Sequence, residues 1–375
     1  MIDLRRLNAV TVDASTGRAI VGGGAVWAEV DAKTVPVGWV VTGGHVSHTG
    51  VAGLTLGGGV GHLMRRFGLT ADSLISAELV TADSRLLRVS KDEHPDLFWA
   101  LRGAGANYGI VTKFEFQLRE FSGTVFGGMV FYKPEDGPQL MRLYREFIAR
   151  APDSITTILG YLHAPPAPFV PEALRFKPGY AIVVAGTDQP DAERGLKELR
   201  SFGPPLFDAL GAIPYGLLQQ MLDPAMPWGT RCYLKSHYIN SYSDGVLDAI
   251  HATTPKMPPG PSQALVIQMG GAVARVPEAA TAFGGRSAAG LALFLGVWEH
   301  ESQRLACRDW ARSSSDALEP YASGTYVNLA DEEPEERLKA SYGAEKYTKL
   351  SRLKRQYDPD NVFRLNQNIK PGGPP

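Results

Sequence analysis

The sequence predicts an α+β fold, and three observations carry that reading. Glycines crowd between Gly43 and Gly61, short alternating apolar segments flank them, and from about residue 123 strand-like and helix-like segments follow one another in irregular order. The chain has 375 residues, enough for two or three domains that each bury a core. Its 38 Lys+Arg against 39 Asp+Glu leave a net charge of −1, with no excess to neutralise a nucleic acid or another polyanion. Cys232 and Cys307 are too few for a disulfide framework or a cysteine zinc site. No apolar run has the length of a membrane helix, and Asp3 stands where a signal peptide excludes acids, so the expected location is the cytoplasm.

The elements follow in order. Residues 8–22 read as a hairpin: Val10 and Val12 alternate with polar neighbours, and Ser15-Thr16-Gly17 turns the chain. A helix is expected over 25–34, with Trp27, Val30 and Asp31 at helical spacing. Residues 76–80 and 86–89 form a second hairpin around Asp83-Ser84, Pro95 opens a short helix that Gly103 closes, and 110–118 alternates as a half-buried strand. Beyond 123, strands are expected at 124–131, 180–184, 264–269, 292–297 and 324–328, with helices near 135–150, 190–201 and 301–318. That pattern suggests one sheet with helices on one face. Two helices close the chain, the second stopping at Asp358-Pro359.

The glycine region is the most informative stretch. An isolated Gly-Gly-Gly would read as a tight turn, but eight glycines in twenty residues let backbone N–H groups approach a bulky anion such as a pyrophosphate. No Gly-Lys-Ser/Thr follows, and Met64 stands where the dinucleotide fingerprint wants Gly or Ala, so neither common phosphate loop is present. A second cluster, Trp99 to Thr112, has Gly103 placed to cap a helix, while Gly105, Asn107 and Gly109 would permit close contact with a flat ligand. His45-x-x-His48 lacks neighbouring carboxylates, so no metal site is expected. Neither a Gly-x-Ser-x-Gly elbow nor a His-Glu-x-x-His run is present for hydrolysis. The Lys349, Arg352, Lys354, Arg355 cluster reads as a basic last helical turn.

Gly43-Gly44-His45 through Gly61, Gly68-Leu69-x-x-Asp72, Asp96 to Gly103, Asn107 to Val111, Tyr326-x-Asn328, and Tyr357-Asp358-Pro359-Asp360-Asn361 through Ile369 occur in this order over nearly the whole chain. In these motifs the sequence resembles the berberine-bridge-enzyme branch of the vanillyl-alcohol-oxidase superfamily. The resemblance implies an FAD-binding domain (1–122), a substrate domain with an antiparallel sheet covered by helices (123–330), and a C-terminal segment (331–375) returning to the FAD domain. It implies FAD bound by Gly44, His48, Thr49, Gly50, Gly53, Leu54, Gly58, Gly59, Gly61, Asn107, Gly109, Ile110, Val111, Asn366 and Asn368. The implied activity is oxidation of an alcohol group of a sugar, polyol or secondary metabolite, with hydride passing to flavin N5 and electrons to oxygen, giving hydrogen peroxide.

The chain departs from that family in its cofactor anchors. No Arg-Gly-Gly-Gly-His-like run occurs, and Val46 stands where bicovalent members carry Cys, so FAD is expected to be held without a covalent bond. On this reading the first FAD-binding subdomain is missing from the chain. The alternative expectation is then a non-catalytic remnant with weak or no FAD binding.

Tyr326 matches the family's frequent base, with a strand aromatic filling core as its plainer alternative. A phenol with an ordinary pKa of about 10 acts near neutrality only if a cation or donor stabilises the phenolate. By resemblance Lys235 is the candidate cation, against an ordinary solvated lysine. Asn328, Asn366 and Asn368 are expected at the flavin ring or as loop-ordering amides. The expected partners are a small-molecule alcohol and oxygen, with neither nucleic acid nor membrane; oligomeric state is left open.

Overall fold

Alternating side chains fold the first 120 residues into an antiparallel five-stranded sheet. Its strands are β1 (Val10–Asp13), β2 (Arg18–Gly22), β4 (Leu74–Val80), β5 (Leu86–Ser90) and β6 (Ile110–Gln117), in the spatial order β1-β2-β6-β4-β5. The two-residue strands β3 (Trp39–Val40) and β7 (Arg119–Glu120) pair beside it. The computed structural model describes residues 2–331, 333–365 and 367–373, apart from the side chain of Glu198.

One face of this sheet, with Val21, Phe114 and Phe116, packs against the helices Trp27–Thr34 and Pro95–Leu101 in a core that also takes Leu338, Leu350, Leu353 and Ile369. The C-terminal helices Glu335–Tyr342 and Ala344–Tyr357 thus return to the first sheet, as the resemblance implies. Buried polar bonds fix the return. Lys354, read from the sequence as part of an ordinary basic turn, is fully buried, and its Nζ donates to Asp358 Oδ2, Asn107 O and Phe363 O, each at 2.7 Å.

The second sheet has eight strands among the described residues. It runs β11 (Phe207–Asp208), β8 (Thr124–Tyr132), β10 (Pro178–Gly186), β9 (Ile155–His163), β14 (Gln263–Gln268), β15 (Gly290–Trp298) and β13 (Arg231–Ile239), with β12 (Gly211–Pro214) also on β8. One face, including Val184, Val266, Ala292 and Phe294, is covered by the helices Gly137–Ile148, Gln189–Arg200, Asp244–Thr253 and Arg304–Leu318. The expected layer of helices on one face is therefore present.

Two differences from the sequence reading have physical reasons. β9 and β13 are not expected from sequence: Gly160 interrupts the first pattern and Lys235, Ser236 and His237 the second, yet β9 is held between β10 and β14, and β13, at the sheet edge, pairs along its whole length with β15. Residues 324–328, expected as a strand, form no ladder; the segment leaves β13 after Gly324 O accepts from Tyr238 N. Cys232 and Cys307 are both free thiols. No helix among the described residues is long and apolar enough to cross a membrane.

Candidate active site

The uncovered face of the second sheet and the loop 44–54 enclose a cavity of about 600 Å³. Gly44, His48, Thr49, Gly50, Gly53 and Leu54 line the loop side, and Tyr326 and Asn328 close one end. Eight of the residues expected from sequence therefore meet in one place.

Tyr326 is 1% exposed and packs edge-on against Phe283 at 6.0 Å between ring centroids. Its oxygen receives Gly59 N–H at 3.1 Å, Val60 N–H at 3.3 Å and the Asn328 amide at 3.0 Å. A neutral phenol has two acceptor lone pairs and keeps one proton to donate, so three converging donors match a phenolate better than a phenol. Burial pushes the Tyr326 hydroxyl above its ordinary pKa, and the three donors pull it back. Two of these donors depend on a tight backbone: at Gly59 (φ +88°) a Cβ would fall 2.1 Å from Thr70 Oγ1. Asn328 in turn is held by donating to Leu54 O at 3.1 Å.

Lys235 does not serve Tyr326. Side chains alternate along a strand, and on β13 Leu234 faces the cavity while Lys235 turns away from it. Its Nζ donates to Asp331 O at 2.5 Å and pairs with Glu333 at 2.8 Å. It is 5% exposed, so the solvated alternative is also set aside.

The other expected cofactor residues divide by what surrounds them. Gly50 and Gly53 have no neighbouring atom within 4 Å of a built Cβ, so the loop opens there towards space a flat ring can fill. Gly58, Gly61 and Gly109 instead face protein, against Phe283, Gly43 O and Leu79 respectively, so close chain packing explains them. Val111 lies in the core of the first sheet, and Ile110 pairs with Val80. Asn107 is a docking post for the C-terminal segment: its amide nitrogen donates to Ala104 O and Gln367 O, and its oxygen accepts from Ile369 N. Both amide hydrogens of that side chain are therefore committed within the protein, leaving only one lone pair of its oxygen. Asn368 Oδ1 is buried without a partner. Asn366 lies outside the described residues.

Sequence reasoning missed several neighbours of the cavity. His48 Nε2 bonds Met226 O at 2.9 Å, and its ring lies 4.7 Å from that of Trp228. His45 meets the buried His62 edge-on at 4.6 Å, not His48; burial pushes His45 down to about 4 and holds His62 well below its ordinary value. The turn Pro227-Trp228-Gly229 offered a signal only for a loop, not for its place over the cavity.

Comparison with known proteins decides the family. The FAD binding domain family model matches residues 1–90, and the "Berberine and berberine like" model matches residues 325–370. An FAD-linked oxidoreductase of Bacillus subtilis, YgaK, is 30% identical over 99% of this chain and 81% of its own length. The chain belongs to the berberine-bridge-enzyme-like FAD-linked oxidoreductases. An FAD-linked oxidoreductase of Dictyostelium discoideum is 29% identical over 99% of this chain and 79% of its own. The crystal structure of 6-hydroxy-D-nicotine oxidase from Arthrobacter nicotinovorans superimposes with a TM-score of 0.86 at 27% identity, over 99% of this chain and 82% of that one.

FAD is therefore the cofactor of this family member, and the loop, open at Gly50 and Gly53, leaves room for a flat ring. The expectation that the first FAD-binding subdomain is missing finds no support, since the FAD-binding domain model matches from residue 1. The remnant reading rested on that expectation and on Val46, and loses the first of these two grounds.

Proposed function

We propose that the chain oxidises an alcohol group of a small molecule in the cavity between loop 44–54 and the second sheet, with Tyr326 as the base. The observation that carries this reading is the Tyr326 oxygen, buried at the cavity end under three hydrogen-bond donors. His48, Thr49, Gly50, Gly53 and Leu54 would hold the flavin ring. Bound FAD would supply the two-electron oxidant, taking hydride from the carbinol carbon and passing its electrons to oxygen to give hydrogen peroxide.

The chain's own part is the proton. Tyr326 Oη accepts it from the substrate hydroxyl, and the Gly59, Val60 and Asn328 donors stabilise the phenolate that must exist beforehand. Because burial raises the phenol, the active form grows with pH, and the rate is expected to climb from neutrality into the alkaline range. The apolar walls exclude water from the reacting hydroxyl. The test is a visible spectrum of the purified flavoprotein, titrated with an alcohol under argon and then exposed to air. Bleaching followed by peroxide release is expected; flavin that stays oxidised with every alcohol tried refutes the proposal.

A further inference from the structure

We infer that the substrate is a neutral, largely apolar alcohol that presents one polar end to Tyr326, and not an oligosaccharide. The inference rests on the oxidoreductase reading above and names its substrate class. Pleating sets alternate residues of four adjacent strands on the cavity wall: Ile158 beside Ile267, Leu265 beside Leu293, and Leu295 beside Leu234. These six aliphatic side chains form a continuous carpet. Gln263, paired with Leu295, is the one polar side chain on that wall, and it makes no hydrogen bond to protein among the described residues. Among the described residues no Asp, Glu, Lys or Arg lines the cavity.

The polar groups gather at the other side, where Tyr326, Asn328, His48 and Thr49 lie. At the cavity rim Trp228 is 76% exposed, with its ring backed by His48. An indole held in this way offers a face for a flat apolar ring. A sugar carries hydroxyls around its whole perimeter, and those against the aliphatic carpet would lose water without gaining a partner. An apolar body gains from the same burial.

The test uses the FAD-loaded protein, with binding read from the flavin absorbance and from indole fluorescence. The probes are cinnamyl alcohol, its methyl ether, and cellobiose. The cinnamyl compounds are expected to bind at least about a hundredfold more tightly than cellobiose, equivalent to two unpaired hydroxyls at ~1.4 kcal/mol each. Trp228→Ala, at an exposed position, is expected to weaken both cinnamyl compounds about tenfold. Cellobiose binding as tightly as cinnamyl alcohol, or no binding of either cinnamyl compound, overturns the inference. The ether has no oxidisable hydroxyl, so its binding reads the cavity apart from turnover. Tight binding of cinnamyl alcohol without bleaching would uphold the substrate class and remove the oxidation reading.

Discussion

Replacing Asn328 by Ala removes one of the three donors on the Tyr326 oxygen while leaving the phenol and the Gly59 and Val60 N–H groups in place. A hydrogen bond to a charged acceptor contributes about 1.5–3 kcal/mol, against about 1 kcal/mol for a neutral one. The phenolate therefore loses roughly 0.5–2 kcal/mol more than the phenol, which raises the Tyr326 pKa by about one unit at ~1.36 kcal/mol per unit. The base works deprotonated, so its active fraction falls about tenfold at any pH well below the midpoint and recovers above it. The assay is the anaerobic rate of flavin bleaching, followed by stopped flow from neutral to alkaline pH. The expected result is a rate curve of unchanged plateau, displaced about one pH unit upward. Asn328 also holds Leu54 O, so a loosened loop is the competing explanation. Loosening would lower the rate by one factor at every pH, and that result, or an unmoved midpoint, refutes the reasoning.

Three further predictions concern side chains away from the base. Lys235→Met strands the buried Glu333 carboxylate beside Arg337 alone and should cost about 3 kcal/mol in chemical denaturation, leaving the pH midpoint of bleaching unmoved. Lys354→Met leaves Asp358 unpaired under the C-terminal segment; hydrogen exchange over 358–365 and 367–369 should accelerate, with a loss of about 3–5 kcal/mol. Asp31 is buried with both carboxylate oxygens unpartnered, and burial pushes its pKa up to about 7. The unfolded chain gives up that proton first, so this residue costs nothing below about pH 4 and up to about 4 kcal/mol above pH 7. Asp31→Asn should therefore raise the denaturation midpoint at pH 8 and leave it unchanged at pH 4.

Much of the fold was legible because it rests on local chemistry. Val10, Val12, Phe114 and Phe116 alternate, Pro95 opens a helix, and Gly17 turns a hairpin, each signalled within a few residues. β9 was not, because a central strand buried on both faces reads as a continuous run, and β13 was not, because polar Lys235, Ser236 and His237 break its pattern while its stability comes from the distant β15. The site shows the same division. The loop 44–54 and the Tyr326-x-Asn328 pair stand out as motifs, and the structure brings them together. Which glycine faces a ligand and which faces protein depends on residues far away: Gly58 on Phe283, Gly109 on Leu79. The misplacement of Lys235 is a matter of one residue, since a strand's two faces alternate and sequence alone did not say which face met the cavity. Asn107 and Lys354 likewise took their roles from a partner about 250 residues away, which no local pattern announces.

The central claim is that Tyr326 is the base in a flavin-dependent oxidation. Tyr326→Phe keeps the ring that packs on Phe283 and removes only the hydroxyl oxygen, so its flavin spectrum should match that of the parent protein. Its anaerobic bleaching by alcohol should be slower by about 10²–10⁴-fold, the usual contribution of a positioned general base. A Tyr326→Phe protein that keeps its flavin and bleaches within about threefold of the parent rate across the pH range would contradict the account.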